Sequence, residues 1–453
     1  MSDVLVLYPE PARERQALVR AHRPMLDALG VRLVLADDEP EDGDRECFAR
    51  VIELPPPERV TEGWHALRGA LVHAPVDAVL AQSEDGLLLG ALAAREFALP
   101  ALPVEAALAT ASKVHTRRAL AAHGVAQPRF ALGTCAADVL RFASSSGFPL
   151  VLKAASSVRS KLVTLVERSE DVSHAVERLV AALPHSQHVR RIVDFARATG
   201  SELGFDAERE FLIEEFARGA PVETDGLLYG TRPFPFGVIE QVLTPPPRFY
   251  LEGYLLPADR PRAELDAIER ESAAALAAVG LANAGYSIEL RWDGVRARVI
   301  EVNGRLGWDE GFGDLFELVI GAHPAALALQ VALGVEPRFE RTAAVHAAIA
   351  YRSAFVDGVV SGVPSAAELE AARHGVERLE VVARIGRRLH APPHPDVEPH
   401  LAHAIATDAR SSRSAHARAR GAVERLQFEI VDAAADEGST DELRGGSRDG
   451  PRR

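Results

Sequence analysis

Cysteine and long apolar runs are scarce in this chain of 453 residues. Its two cysteines, Cys47 and Cys135, lie far apart in the sequence and have no metal-ligand spacing. This excludes a disulfide framework and fits a reducing compartment. No apolar run approaches the roughly 20 residues of a membrane span, and the chain starts with a short apolar strand rather than a signal peptide. We therefore expect a cytoplasmic protein with no membrane partner.

The chain also has fewer basic than acidic residues. The 51 Lys and Arg residues against 65 Asp and Glu residues give a formal net charge of -14. Nucleic acids and anionic membranes favour basic surfaces, so neither is an expected partner. With 47% hydrophobic and 26% charged residues, the composition is that of a globular protein. The length indicates about two to four domains.

Several common catalytic motifs are missing from the sequence. It has no Gly-x-x-x-x-Gly-Lys-Ser/Thr loop, and no Gly-x-Gly-x-x-Gly follows the first strand. It also has no His-Glu-x-x-His and no Gly-x-Ser-x-Gly. These absences remove the support for a P-loop, a dinucleotide site, a zinc peptidase or a common serine hydrolase.

The most informative segment present is 299–307, which reads Val-Ile-Glu-Val-Asn-Gly-Arg-Leu-Gly. Strand alternation predicts that Glu301, Asn303 and Arg305 share one side, while Ile300 and Val302 point into a core. Carboxylate and amide oxygens suit Mg²⁺, and a guanidinium binds phosphate or carboxylate with two hydrogen bonds. The alternative interpretation is a solvated edge strand.

A second strand-like run, Ala284–Trp292, precedes this segment, and Asp293-Gly294 lies between the two runs. An Asp-Gly turn between apolar runs predicts a hairpin, which would bring Glu289 beside Glu301. Two adjacent carboxylates repel one another unless a cation lies between them. The hairpin therefore favours the metal site over the edge strand.

Two lysines and a pair of glutamates are individually ambiguous. Lys153 ends a strand and precedes the serine-rich turn 154–161, and Lys113 follows Ser112 at a helix start. Each lysine alone can reach the surface harmlessly. Glu214-Glu215 is either a solvated loop entry or a contact for the amino edge of a base. Together with the acidic segment, the lysines indicate a site for Mg²⁺-nucleotide.

The order of elements predicts the domain organisation. Strands at Val4–Tyr8, Val31–Leu35 and Ala78–Ala81, alternating with helices at Ala12–Leu29 and Leu87–Phe97, predict a small open parallel sheet. The expected domains are residues 1–99, 100–340 and 341–433, followed by a disordered tail at 434–453. The third domain is expected to carry strands at Ala347–Tyr351 and Val376–Val382 and a helix near Ser411–Leu426.

Taken in order, these pieces resemble the ATP-grasp superfamily of ATP-dependent carboxylate–amine ligases. The order is Ser112-Lys113, then Gly147–Lys153, Ile213–Phe216, Glu289 and finally Glu301-x-Asn-x-Arg305. The resemblance covers about two-thirds of the chain. Within the superfamily, the segment Thr244–Pro257 is similar to the substrate loop of bacterial L-amino acid ligases, which make dipeptides.

The resemblance implies an α/β (α+β ATP-grasp) fold class. An N-terminal open parallel sheet domain would precede two α+β ATP-grasp subdomains with the nucleotide between them, and a C-terminal α+β subdomain would follow. The implied reaction has two steps: a carboxylate attacks the γ-phosphate of ATP, and an amine then displaces phosphate to give an amide. The implied partners are ATP and small-molecule acid and amine substrates. A dimer through the first domain is common in similar proteins, so a homodimer is an open expectation.

The resemblance also assigns roles residue by residue. The ATP-binding residues would be Lys113, Lys153, Ser156, Ser160 and Lys161 at the phosphates, Glu214, Glu215 and Phe216 at the adenine, and Glu223 at the ribose. The metal ligands for Mg²⁺, with Mn²⁺ as an alternative metal, would be Glu289, Glu301 and Asn303. Arg305 would stabilise the acyl-phosphate and tetrahedral states. Tyr254 and Trp308 would line the substrate pocket, and the turn 156–161 would act as a lid.

Two alternative functions stay open at this point. One is the same activation chemistry on an acid that is not an amino acid. The other is a nucleotide-binding sensor or partner subunit that has lost ligation, and it is supported by the absence of glycine from the turn 154–161. Arg305 argues against the sensor, because a protein that only senses nucleotide has no need of a guanidinium at the transfer site.

Overall fold

A computed structural model describes residues 1–9, 12–158, 161–245, 250–340, 345–391 and 399–432 of the chain. The predicted tail at 434–453 lies outside the described residues. Two compact units are present. The first contains residues 1–240, 260–309 and 316–342, and the second contains 241–259, 310–315 and the described residues after 343. The four-part domain division stays a prediction.

The first 111 residues alternate strands and helices, as the sequence pattern predicts. In chain order the elements are β1 (Ser2–Leu7), α1 (Ala12–Leu29), β2 (Val31–Asp37), α2 (Asp44–Cys47), β3 (Arg50–Glu53), α3 (Val60–His73), β4 (Ala78–Leu80), α4 (Leu87–Phe97) and α5 (Val104–Ala111). The four strands are parallel and lie in the order β3-β2-β1-β4. The predicted open parallel sheet is therefore confirmed, with β3, α2, α3 and α5 as additions that the sequence analysis did not identify.

The next part of the first unit is built on an antiparallel sheet. Its elements are α6 (Lys113–Ala122), β5 (Phe130–Gly133), α7 (Ala136–Ser146), β6 (Leu150–Lys153), β7 (Val163–Val166), α8 (Val172–Ala182), α9 (Gln187–Thr199) and β8 (Phe211–Glu215). The strand order is β5-β8-β6-β7. The central position of β8 and β6 places Glu214 and Lys153 on adjacent strands.

A second antiparallel group of strands follows. The elements are β9 (Ala220–Tyr229), β10 (Arg232–Leu243), β11 (Leu251–Leu256), α10 (Arg262–Val279), β12 (Gly285–Trp292), β13 (Ala297–Asn303), α11 (Phe312–Ile320) and α12 (Pro324–Ala332). In the first unit the neighbours lie in the order β13-β12-β9-β10. Helix α12 packs Leu329 and Ala332 into the core formed by β1, β2 and α1.

The second unit has its own sheets and core. After β11, its elements are β14 (His346–Ser353), β15 (Gly358–Gly362), α13 (Ala366–Ala372), β16 (Arg378–Val381), β17 (Arg388–Leu389), β18 (His400–Asp408), α14 (Ser412–Val423) and β19 (Glu429–Val431). Strands β11-β14-β18-β16 are neighbours, as are β17-β15-β19. Alanines from β14, β18 and α14 fill much of the core, which lets the helix pack close to the strands.

The predicted hairpin is present between β12 and β13. The connection is four residues long, and the Asp293 carboxylate accepts hydrogen bonds from the N–H groups of Val295 and Arg296. Glu289 lies directly opposite Glu301, as predicted, but a bulge interrupts the register beside Glu289. Because the bulge inserts a residue, Val299 and Val302 are the buried pair. The expectation that Ile300 points into the core is therefore wrong; it is only partly buried.

Among the described residues, no single helix is both long and apolar enough to cross a membrane. One pair, α11 and α12, meets the length and composition only when both helices are counted together, and the two are bent by 84°.

Gly219, just before β9, lies close to the backbone of Trp292 at the end of β12. Its φ is +127°, and a Cβ there would lie 2.4 Å from the carbonyl oxygen of Trp292. We expect Gly219→Ala to lower the free energy of unfolding by more than about 2 kcal/mol, from backbone strain plus the clash. The matched control is Gly230→Ala, where φ is +57° and no atom lies within 4 Å, so the loss should be only about 1 kcal/mol. Urea denaturation measures both, and equal losses would contradict the close approach.

Candidate functional site

Two rows of polar side chains cross three neighbouring strands of the first unit. The first row, in register across β13, β12 and β9, is Glu301, Glu289 and Glu223. The second row is Asn303, Ser287 and Asp225. Residues two apart on a strand share a face, so both rows lie on one side of these strands. We call these six residues the acidic face.

The carboxylates of the first row repel one another. Burial and the charges of Glu301 and Glu223 raise the pKa of Glu289 to about 8. Burial and the charge of Asp225 raise the pKa of Glu223 well above its ordinary value. Like charges directly opposite one another destabilise a sheet. The acidic face is therefore a place where a cation gains favourable contacts.

Asp225 is a member of this face that the sequence analysis missed. It is fully buried, and one carboxylate oxygen accepts the Gly307 N–H at 2.7 Å. Burial raises its pKa to about 7, although a hydrogen bond with Glu223 and the Gly307 N–H oppose the rise. The alternation Glu223-Thr-Asp225 was the available signal, because it puts both acids on one face of a strand.

Lys113 brings a positive charge to the edge of the acidic face. Ser112 caps α6 by accepting the His115 N–H, which makes Lys113 the first helical residue. The Lys113 ammonium lies 2.5 Å from Glu301 Oε1 and donates to the Ser157 carbonyl at 3.1 Å. Despite burial, this contact lowers the pKa of Glu301. The structure thus joins Lys113 and Glu301, which are far apart in sequence.

The donor chemistry of the acidic face fits Mg²⁺. Glu289 and Glu301 are direct strand partners, and Asn303 follows on the same side, so two carboxylates and an amide oxygen are close together. Within the ranges that the structure describes, no group of three or more His, Cys, Asp or Glu side chains has the arrangement of a metal centre. The Lys113 ammonium pairs with Glu301, one of these two carboxylates. The metal-ligand role of these residues stays a prediction.

Arg117, Glu214 and Lys153 form a buried ion-pair cluster. The Arg117 Nε donates to Glu214 Oε1 at 2.7 Å, and Lys153 Nζ lies 2.9 Å from Glu214 Oε2. Arg117 also donates to the carbonyls of Val299 and Ile300 on β13. The sequence analysis missed Arg117, although its spacing of four residues from Lys113 puts both on one face of α6.

This cluster changes the interpretation of the adenine-binding residues. Both carboxylate oxygens of Glu214 accept from Arg117 and Lys153, so its side chain is already bonded within the protein. Burial lowers the pKa of Lys153. Glu215 is not brought to the cluster, because it pairs with Arg129 at 2.9 Å. The Phe216 N–H donates to the Pro149 carbonyl at 3.3 Å. The adenine contacts of these residues stay a prediction.

The serine-rich turn is partly fixed by backbone contacts. Ser156 and Ser157 are buried, and the Ala155 carbonyl accepts the Lys113 N–H at 2.7 Å. Lys161 is near enough to His188 to affect its pKa, and Ser160 lies outside the described residues. The first half of the turn is thus tied to α6. The lid role remains a prediction for the turn as a whole.

Arg305 pairs with a loop that the sequence analysis did not connect to the site. Its Nε and one terminal nitrogen both lie 2.9 Å from Glu84 Oε1. The neighbouring Leu306 N–H donates to the Gln82 side-chain oxygen at 3.3 Å. Gln82 and Glu84 follow β4, at the carboxyl end of the parallel sheet. Ligands bind at this end in open α/β sheets, and that rule was the available signal.

Glu223, Tyr254 and Trp308 are the remaining predicted residues. Glu223, assigned to the ribose, lies beside Glu289 and accepts from Ser287 at 2.7 Å, and its ribose contact stays a prediction. Tyr254 belongs to the second unit, where it is buried and its ring lies 4.5 Å from that of Phe312. Trp308 follows Arg305 in the first unit and is partly buried. The substrate roles of Tyr254 and Trp308 stay predictions.

Comparison with known proteins by sequence gives one limited match. The chain is 28% identical over 290 residues to the uncharacterized protein y4rH of Sinorhizobium fredii (strain NBRC 101917 / NGR234), covering 61% of this chain and 55% of that protein. The chain thus spans about half the length of the curated relative that it matches. No family model matches the chain.

Comparison by structure gives matches along nearly the whole chain. The L-amino acid ligase from Bacillus licheniformis has a TM-score of 0.74 at 20% identity, covering 95% of this chain and 99% of that one. A biotin carboxylase β,γ-ATP complex from Campylobacter jejuni has a TM-score of 0.66 at 14% identity, covering 98% and 96%. The biotin carboxylase domain dimer of Hydrogenobacter thermophilus 2-oxoglutarate carboxylase, with MgADP, ADP and bicarbonate, has a TM-score of 0.65 at 14% identity, covering 95% and 91%. The fold class predicted from the sequence is confirmed by these likenesses.

Acid should weaken the buried cluster through Glu214. Although burial alone would raise it, the charges and hydrogen bonds of Arg117 and Lys153 lower the pKa of Glu214 to about 2, from its ordinary 4.5. A lowered folded-state pKa stabilises the protein above the unfolded value, and that stability is lost as the pH falls from about 4.5 towards 2. Glu214→Gln should therefore cost about 3–5 kcal/mol of unfolding free energy at pH 7, because it leaves Arg117 and Lys153 without their counter-charge.

Urea denaturation at pH 7 and at pH 3–4 measures this effect. The difference between wild type and Glu214→Gln should shrink at the lower pH. Glu215→Gln is the matched control, because its pair with the exposed Arg129 should contribute less than about 1 kcal/mol. Similar losses in the two variants at pH 7 would contradict the role of the buried cluster.

Proposed function

We propose, from the ATP-grasp fold of this chain and the charges gathered at the acidic face, that it is an ATP-dependent carboxylate–amine ligase. It would activate a carboxylate, that of an amino acid, as an acyl phosphate and join it to an amine, releasing ADP and phosphate. The observation that carries the proposal is the row Glu301–Glu289–Glu223, with Lys113 on Glu301 and Arg305 two residues beyond Asn303. The whole-chain likeness to an L-amino acid ligase supports the amino acid.

The reaction has two displacements. In the first, a carboxylate oxygen of the acid forms a bond to the γ-phosphorus of ATP, and the bond from that phosphorus to ADP breaks. In the second, the amine nitrogen attacks the acyl carbon, the carbon–oxygen bond to phosphate breaks, and a proton leaves the nitrogen. Phosphoryl transfer of this kind depends on positioning and charge neutralisation rather than on covalent help from the protein.

The side chains supply that neutralisation. Lys113 would exchange its bond to Glu301 for a phosphate oxygen, because an ammonium serves either anion as a point charge. Arg305 would exchange Glu84 for the transferred phosphate, to which its planar fork can donate twice. Bound Mg²⁺, held by Glu289, Glu301 and Asn303, would neutralise charge on the phosphates. Lys153, which pairs with Glu214, would be the second lysine at the ATP phosphates.

A substrate screen tests the proposal. The full chain is incubated with ATP, Mg²⁺ and pools of carboxylic acids and amines, and phosphate release is measured. Release that requires an acid and an amine together is the expected result, and Glu301→Ala should abolish it. Glu62→Ala, at an exposed carboxylate on α3, is the control and should leave the rate unchanged. ATP binding with no release in any pool would favour the nucleotide sensor and overturn the ligase.

Arg305→Ala separates transition-state stabilisation from nucleotide binding. We expect turnover to fall by at least about 100-fold, since the guanidinium contacts the group whose charge changes during the reaction. The dissociation constant for ATP should change by less than about threefold, because the other phosphate contacts are intact. Steady-state kinetics and calorimetric titration give the two numbers. A matching loss in both would contradict the assignment of Arg305 to the transferred group.

A further inference from the structure

The segment that carries Arg305 lies just beyond the end of β13, outside any strand or helix. Its backbone N–H groups therefore need acceptors other than a neighbouring strand. Two side chains supply them. The Gly307 N–H donates to Asp225 Oδ1 at 2.7 Å, and the Leu306 N–H donates to Gln82 Oε1 at 3.3 Å. Two acceptors that are distant in the sequence thus bind the residues directly after the arginine.

Asp225 is a buried acceptor on β9, a strand that lies between β12 and β10. Burial raises its pKa to about 7, while a hydrogen bond with Glu223, the Gly307 N–H and the charge of Arg305 oppose the rise. Arg305 is therefore close enough to act on this carboxylate. Because Asp225 is buried, water does not compete for the Gly307 N–H, and removal of the carboxylate would leave that donor without its acceptor.

Gln82 reaches the same segment from the loop after β4. Its side chain lies against β12 at Gly285, where a Cβ would lie 2.6 Å from Gln82 Oε1 and 2.9 Å from the Leu306 nitrogen. The glycine therefore leaves the space that this hydrogen bond occupies. Arg305 donates one terminal nitrogen to the Leu306 carbonyl at 2.8 Å. Leu306 is thus bound at both its N–H and its C=O.

The Arg305 guanidinium has a different kind of partner from its backbone. Two of its nitrogens contact one carboxylate oxygen of Glu84, and the side chains of both residues are 21% exposed. In the proposed reaction the guanidinium leaves Glu84 for the transferred phosphate. The backbone has to stay in place during that exchange, because a misplacement of about 1 Å can cost about 100-fold in rate.

We propose that Asp225 and Gln82 are positioning residues for Arg305. Their hydrogen bonds to the two N–H groups that follow it fix the backbone from which the guanidinium reaches the transferred phosphate. The inference rests on the proposed ligase function, and it adds two residues that act on the reaction through Arg305. One acceptor comes from β9 and the other from the loop after β4, so each residue is tested by its own variant.

Phosphate release measures the effect of each hydrogen bond. The full chain is given ATP labelled at the γ-phosphate, Mg²⁺, a mixture of the twenty L-amino acids, and hydroxylamine as the amine. Asp225→Leu and Gln82→Met remove the acceptor oxygen and keep a side chain of similar size. We expect each variant to lower the maximal rate at least about tenfold, while the dissociation constant for ATP changes by less than about threefold.

Two further variants control for charge and for stability. Asp225→Asn keeps an acceptor oxygen for the Gly307 N–H and removes the charge, so its rate should stay within about threefold of wild type. Thr224→Val removes a buried hydrogen bond to Ser272 from the opposite face of the same strand. It should lower the melting temperature and leave the maximal rate unchanged. Melting temperatures of all variants identify any that fail to fold.

A double-mutant cycle tests whether the two residues act through Arg305. In an Arg305→Ala background there is no guanidinium to position, so Asp225→Leu or Gln82→Met should change the residual rate by less than about twofold. A general loss of structure would lower the rate by the same factor in both backgrounds. The cycle thus separates a positioning role from a structural one.

Each outcome supports or overturns the inference. Equal fold-losses in the two backgrounds would overturn it, as would full rates in folded Asp225→Leu and Gln82→Met. Asp225→Asn as slow as Asp225→Leu would assign the effect to charge and overturn the role of that hydrogen bond. If Asp225→Leu fails to fold, Gln82→Met decides, because it changes a partly buried side chain in a loop. Wild type that releases no phosphate in any substrate pool would reject the ligase proposal, and this inference with it.

Discussion

The buried contact between Arg117 and Glu214 is the interaction on which the rest of the site depends. It joins helix α6 to strand β8, and through Lys153 to strand β6. The same guanidinium donates to two carbonyls of β13, beside Glu301. One side chain thus fixes the distance between the antiparallel sheet that carries Lys153 and the strands that carry the acidic face. Because Arg117 is 2% exposed, none of these bonds competes with water.

The acidic face and the cations near it carry opposite charges, which attract one another. Four carboxylates crowd three adjacent strands, and burial and mutual repulsion raise the pKa of three of them, Glu289, Glu223 and Asp225. Lys113 reaches the row from a helix start, and Arg305 follows directly after β13. Positive charge nearby therefore stabilises the ionised form of the acidic face. In the proposed function, a nucleoside triphosphate with a divalent ion would bind in this electrostatic environment.

The sequence predicted those parts of the fold that local pattern controls. Alternation and the Asp293-Gly294 turn were enough to place Glu289 opposite Glu301, and Ser112 marked the start of α6. The features that the sequence did not predict depend on contacts between residues far apart in the chain. The bulge beside Glu289 inverts the side on which Ile300 lies, and no single-strand pattern contains it.

The sequence analysis missed some site residues for the same reason. Arg117 and Glu214 are 97 positions apart, and Glu84 is 221 positions from Arg305, so neither pairing has a sequence signature. Glu215 looked equivalent to Glu214 in the sequence, yet adjacent residues of a strand face opposite ways, and the fold gives them different partners. The roles proposed for residues that would contact nucleotide or substrates are argued from the chemistry of their side chains, not from a sequence pattern.

Because Glu84 pairs with Arg305, the proposed binding of phosphate at Arg305 would exchange one counter-ion for another. The displaced carboxylate would remain on the chain, so the incoming phosphate would add negative charge that the cations nearby, Lys113 and Arg305, must balance. Discrimination between ligands would then depend on how well each reproduces the geometry of the Glu84 carboxylate, rather than on attraction to a basic surface. If the proposal holds, a chain with a formal charge of -14 would in this way accept a small anion while repelling large polyanions.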